Sequence, residues 1–363
     1  MKISLVTYFA SLLFLTFFSY AFIDPNLSYL NVLYSGFHLE YREYSSIVYL
    51  FILTALFTSC FLIINNKNQF KSPVKKIILL TIIVLFFSYP AMLSYDIFNY
   101  ITTAKIAFFY NENPYLIYPI EFTGDSLLEF TRATNKTALY GPFWILLTAI
   151  PFVAGMGNFI LTLFSFKAFI VLFYVGTVFL INKLDKRAVL FFALNPLVVI
   201  ETLVSSHNDI VMMFFALLAF YLIKTKKTFS IFSLLGSILI KFATLFLIPV
   251  YILSFLNKIE GKKIYFFAAA SMFFVFLLSP FREELYPWYA IWFIPFTAFL
   301  YKNKLLQNLI LVFSFGLMLR YIPYMATGNY FGDTPVFRTV LTILPIVIFM
   351  AYAFYKKQFK IFK

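Results

Sequence analysis

Long apolar runs alternate with short polar intervals along this chain, on a scale set by bilayer thickness rather than by a soluble core. Runs near 3–23, 46–64, 74–93, 159–181, 188–205, 208–224, 263–280, 288–301, 305–321 and 335–355 predict membrane helices. Two intervals fit less easily. Residues 143–155 (FWILLTAIPFVAG) predict a helix of roughly 20 Å, too short for a hydrocarbon core of about 30 Å. Residues 228–256 are too long for one crossing and short for two. The longest polar interval, 94–142, opens at Ser94-Tyr95-Asp96-Ile97-Phe98-Asn99-Tyr100. It contains a helical stretch near 97–110 whose aromatic and aliphatic residues suit a helix lying flat at the interface.

Composition agrees. Of 363 residues, 62% are hydrophobic and 12% charged, against roughly 25% charged in a soluble domain. Mean hydropathy is +0.88. The expected class is an all-α polytopic membrane protein, with 1–363 reading as a single domain. The formal charge of +14 does not imply nucleic-acid binding, because the basic residues follow a membrane pattern. Cys60 is the one cysteine, so the chain can form no internal disulfide. Residues 3–23 resemble a signal peptide with Ser19-Tyr20-Ala21 at the cleavage position, but an uncleaved anchor is the preferred reading.

Charge resolves the two awkward intervals. Suppose 143–155 dips in without crossing and 228–256 folds as a shallow hairpin of two half-helices. Lys2, the lysines of 67–76, Lys183, Lys186 and Arg187 then share one side. So do the lysines of 224–227, 258–263, 302–304 and 356–363, while only Asp185 and Glu260 join them among the acidic residues. The positive-inside rule therefore selects about twelve passes with both termini cytoplasmic. The two irregular segments enter from the outer side, and non-helical backbone at that depth implies an outward-facing cavity.

Ionisable residues in or beside membrane segments are functional candidates. Asp96 ends the third run, where the alternative is a solvated helix-end carboxylate. Glu201 precedes Ser205-Ser206-His207-Asn208-Asp209 at an outer turn. There, hydrogen bonding to sugar hydroxyls competes with Asp209 as a simple helix cap. His207 and Asp209 alone fall far short of a metal site. Lys241, at the hairpin apex in SILIKFATLFLIP, needs an anionic partner such as a lipid phosphate unless it snorkels to the interface. Lys167 in LFSFKAFIV has the same choice. Around Arg282, the aromatics Tyr286, Trp288, Tyr289 and Trp292 either form an interfacial belt or stack on sugar faces. No Walker loop, GxGxxG, CxxC or GxSxG motif occurs.

Six motifs occur in order: DIFNYITTAKI from Asp96, NENPY at 111–115, YGPFW at 140–144, NPLVVIE...HND at 195–209, SILIKFATLFLIP, and YPWYAIW at 286–292. Together they resemble the GT-C superfamily of integral-membrane glycosyltransferases, in particular the polyprenol-phosphate-mannose-dependent mannosyltransferases. One departure is that Tyr95 precedes a lone Asp96 where many relatives carry an acidic pair, which weakens any metal-binding reading.

The resemblance implies a GT-C-like bundle and transfer of a hexose, with mannose expected, from a polyprenyl-phosphate donor to a glycan or lipid-linked acceptor. The reaction would take place at the outer face of the plasma membrane. It implies Asp96 as the base of an inverting single displacement. Lys241, with Lys167 and Arg282, would meet the departing phosphate. Glu201, His207, Asn208, Asp209, Tyr140, Tyr286, Trp288 and Tyr289 would orient sugar and acceptor. No metal or other cofactor is expected beyond the lipid-linked co-substrate. The alternative from another class is a flippase or transporter of lipid-linked saccharides. It shares the cavity, basic site and aromatics but has no need of a lone carboxylate opposite a lysine, and no internal repeat is evident.

Overall fold

The computed structural model describes residues 2–24, 27, 36–66, 74–281 and 284–356, and every regular element among them is helical. In chain order the main helices are α1 (Lys2–Ser19), α2 (Arg42–Asn65), α3 (Val74–Phe86), α4 (Asp96–Phe108), α5 (Pro142–Ala154) and α6 (Phe159–Leu184). A bent pair, α7 (Lys186–Ala193 with Pro196–Val204), is followed by α8 (Asp209–Leu222), α9 (Lys227–Ile240) and α10 (Phe242–Phe255). The chain closes with α11 (Lys262–Leu278), α12 (Lys304–Leu319) and α13 (Thr334–Tyr355).

Six of the described helices are long and apolar enough to cross a membrane, or seven if α7 counts as one span. The chain is an all-helical membrane protein. Twelve passes would require more spanning length than the continuous helices supply, and the shortfall has physical causes. The expected run 74–93 stops at Phe86, ahead of Pro90. The run 288–301 is divided into 3₁₀ and α fragments beginning at Pro287 and Ile294, with Pro295 in the second. In α7, Pro196 cannot donate to the preceding turn, and the two halves meet at 66°. Outward-facing apolar residues such as Val336, Phe337, Val340 and Ile343 on α13 suit a lipid-facing surface.

Each break frees backbone carbonyls that must find donors in a dry interior. At the α7 break, Asn195 caps Leu197 N at 3.0 Å. The Leu194 carbonyl accepts from Tyr8 OH at 3.1 Å and Cys60 Sγ at 3.0 Å, and the Ala193 carbonyl accepts from Tyr174 OH at 2.7 Å. At the end of α3, Lys167 on α6 fills the same role. Its Nζ donates to Leu85 O at 3.3 Å, Ser88 O at 2.5 Å and Ser88 Oγ at 3.0 Å.

The segment around Lys241 folds back as its length and charge suggested. Lys241 is extended (φ −145°, ψ 127°) between α9 and α10. Ser237 Oγ donates to Thr244 Oγ1 at 3.1 Å, and Ser230 Oγ pairs with Tyr251 OH at 2.7 Å. Both pairs are symmetric about the Ile240–Lys241 junction, so the two short helices run antiparallel. The 94–142 loop docks on this apex, because Gly141 N donates to Ile240 O at 3.0 Å. A side chain at Gly141 would collide with the Leu239 backbone. The deepest part of the fold lies beside it: residues 191–213 are all buried.

Candidate active site

Asp96 is the first residue of α4, where the positive end of the helix dipole favours a negative charge. Its side chain is about one-quarter exposed (24%), with Oδ2 3.4 Å from His207 Nδ1. On the other side of the ring, His207 Nε2 lies 3.3 Å from Glu201 Oε2. His207 and Glu201 are completely buried. Carboxylates facing both ring nitrogens favour the doubly protonated, cationic form of His207. Burial alone would depress it, but hydrogen bonds and charge from Asp96 and Glu201 raise its pKa to about 9. Burial likewise pushes the Asp96 carboxyl up. His207, the charge of Lys241 and the Asn99 amide outweigh that and hold it below its usual value.

The turn presenting His207 departs from ordinary helix. Residues Ile200–Val204 form a π-helical turn, and Ser206 adopts φ +59°, a left-handed conformation costing roughly 1–3 kcal/mol in a non-glycine residue. Backbone hydrogen bonds hold it: His207 N donates to Glu201 O at 3.0 Å, and Asn208 N donates to Tyr100 OH at 3.2 Å. Tyr321 OH donates to Glu201 Oε1 at 2.8 Å. The Asn208 carboxamide is fully buried, and neither its oxygen nor its nitrogen has a partner among the described residues. A buried amide of this kind is satisfied by a ligand or by water.

Asp209 begins α8 and is fully buried. It accepts from Lys241 Nζ at 2.7 Å and from Trp292 Nε1 at 2.5 Å. Asp209 is thus more than a helix cap; it joins α8, the hairpin apex and the YPWYAIW segment. Lys241 Nζ also lies 5.6 Å from the Tyr289 ring centroid, and Tyr289 stacks on Trp292 at 4.2 Å. The other aromatics stack in line: His207 on Trp288 at 4.1 Å, and Trp288 on Tyr286 at 4.4 Å. Tyr140 packs edge-on against Tyr100 with ring centroids 4.8 Å apart, and its carbonyl accepts from Tyr115 OH at 2.7 Å. Among the described residues, no three His, Cys, Asp or Glu side chains group as a metal-ligand set.

This constellation carries a carboxylate at a helix start, a fixed histidine ring, a paired ammonium and stacked aromatics on elements from four parts of the chain. Residues 10–257, which contain the charged members of this cluster, match the family model described as alpha-(1->6)-mannopyranosyltransferase, N-terminal domain. The chain belongs to this mannosyltransferase family. No curated protein and no solved structure matches the chain. The aromatic segment 286–292 lies beyond the matched part of this family member.

Of the residues singled out from sequence, the fold brings together Asp96, Glu201, His207, Asn208, Asp209, Lys241, Tyr286, Trp288 and Tyr289. Tyr140 joins them through Tyr100. Lys167 does not belong to this group. Its ammonium is fully buried, and its three donors are occupied by Leu85 and Ser88, which leaves none for a phosphate. Arg282 lies outside the described residues. Sequence reasoning missed Tyr321 as the partner of Glu201, and treated Trp292 as one of an aromatic group rather than as the donor to Asp209. It also passed over Arg320 and Arg338, although both stand at ends of apolar runs, where the rule applied to Lys241 applies equally.

Proposed function

We propose that the protein transfers mannose from a polyprenyl-phosphate-linked donor to a hydroxyl of a glycan or glycolipid acceptor at the outer face of the plasma membrane, forming an alpha-(1->6) bond. The observation carrying this reading is the Asp96–His207–Glu201 line. In it a partly exposed carboxylate faces His207, and the next residue, Asn208, has a side-chain amide without a partner among the described residues. The acceptor oxygen attacks C1 of the sugar, and its proton passes to Asp96. The bond from C1 to the phosphate oxygen breaks, and that electron pair leaves on the lipid phosphate. A single displacement inverts C1, so an α product requires a β-linked donor.

The surrounding residues have compatible tasks. His207 and Glu201 position Asp96, and the Asn208 amide has capacity for sugar hydroxyls. The Tyr286–Trp288 stack offers apolar faces to a pyranose ring. Lys241 gives a phosphate no net positive charge of its own, because Asp209 balances it at 2.7 Å.

The test uses purified protein, a synthetic polyprenyl-phosphate mannose and a mannoside acceptor, with product followed by mass spectrometry. Asp96→Asn is expected to lower kcat by about 10²–10⁴-fold while donor binding persists. Near-normal turnover in that variant would remove Asp96 as the base.

A further inference from the structure

The Asp96 cluster is poorly charged for holding a phosphate. His207 and Lys241 supply at most two positive charges against the three carboxylates of Asp96, Glu201 and Asp209. Among the described residues, excess positive charge lies at the end of α12 and the start of α13. Arg320 directly follows α12, and Arg338 lies one turn into α13. The side chains of both are at least nine-tenths buried, and both reach the same oxygen of Glu284. Arg320 Nη2 is 3.4 Å from Glu284 Oε1, and Arg338 Nη1 is closer. Among the described residues, two guanidinium charges therefore share one carboxylate. The Nε–H of each is buried without a partner among the described residues.

Packing explains why the two arginines meet. Gly316 on α12 lies so close to the Thr342 carbonyl of α13 that any side chain there would collide. Arg320 is one turn beyond Gly316, and Arg338 one turn before Thr342, so the contact carries both to the same end. This end also connects to the proposed base. Arg320 adjoins Tyr321, which bonds Glu201; Glu201 faces His207, and His207 faces Asp96.

We propose that Arg320 and Arg338 bind the phosphate of a polyprenyl phosphate, with Glu284 holding the pair together when no ligand is present. Two guanidinium forks match the oxygens of a phosphate better than those of one carboxylate. Beside Arg338, the exposed apolar residues Val336, Phe337 and Val340 offer a hydrocarbon-facing surface for the tail. The proposal rests on the mannosyl-transfer reading only for the identity of the lipid.

The experiment measures binding rather than transfer. Full-length protein in lipid nanodiscs is titrated with a fluorescent short-chain polyprenyl phosphate, the uncharged polyprenol and inorganic phosphate. Arg320→Gln and Arg338→Gln are each expected to weaken polyprenyl phosphate binding by about tenfold or more and to leave polyprenol unchanged. Glu284→Gln is expected to tighten it, a gain that misfolding cannot mimic. Unchanged binding in both arginine variants, or weaker binding in Glu284→Gln, would overturn the proposal. Competition by inorganic phosphate at matched concentration would support the phosphate site and make the head group its sole determinant. No competition would support it with the tail contributing. If Arg-dependent binding is found but no mannosyl transfer occurs, the transfer reading fails and the anion site stands.

Discussion

His207 has a carboxylate at each ring nitrogen, and this sets how its charge responds to pH. Its pKa in the fold is about 9, above the ordinary 6.5, so the folded protein holds that proton more tightly than the unfolded chain does. The resulting stabilisation is complete below about pH 6.5 and is lost as pH rises through about 9. Asp96 behaves oppositely. Its pKa is lowered from 3.8, so its contribution is present above that value and disappears as pH falls. Thermal stability in detergent is therefore expected to decline on the alkaline side near pH 9, and His207→Gln should flatten that decline. An alkaline limb that persists unchanged in the variant would assign the titration to another group.

Among the elements, the breaks decide more than the spans. Lys167→Met should destabilise the protein by about 1–3 kcal/mol, because the Leu85 and Ser88 carbonyls lose their donor in a dry interior. The apparent KM for donor should not change, and a selective rise in KM would return Lys167 to the donor site. The sequence made some breaks legible and hid others, for identifiable reasons. The Lys241 hairpin could be read because an interval of that length is wrong for one or two crossings and charge chose between them. Hydropathy could not show that 288–301 is fragmented, because it counts apolar residues without testing continuity; Pro287 and Pro295 held that information. Nor could it tell a ligand-binding lysine from a backbone-capping one. The acceptors of Lys167 lie 79 and 82 residues earlier in the chain.

Across the whole molecule, charge placement predicts sidedness, and the single cysteine makes it measurable. Cys60 is fully buried and should be silent toward a membrane-impermeant maleimide. Asn135→Cys, on the exposed part of the 94–142 loop, is expected to label in intact cells. Lys258→Cys, exposed beside Glu260, should label only after permeabilisation. The reverse pattern would invert the topology and move the proposed site to the cytoplasmic face. The members of that site were legible one at a time, since Asp96, the HND turn and Lys241 each disturb a local apolar pattern. Their pairing was not, because the partners are distant in sequence: Lys241 meets Asp209 across 32 residues, and Tyr321 meets Glu201 across 120.

The broken helix α7 also bears on the order of assembly during synthesis. The Leu194 carbonyl receives Tyr8 from 186 residues upstream and Cys60 from 134 upstream. At roughly 5–20 residues per second, a translating ribosome needs roughly 10–40 s after Tyr8 to deliver its acceptor. Until then, the first two helices can pack on each other but lack these two bonds to the middle of the chain. The bundle therefore closes late, when the middle of the chain arrives.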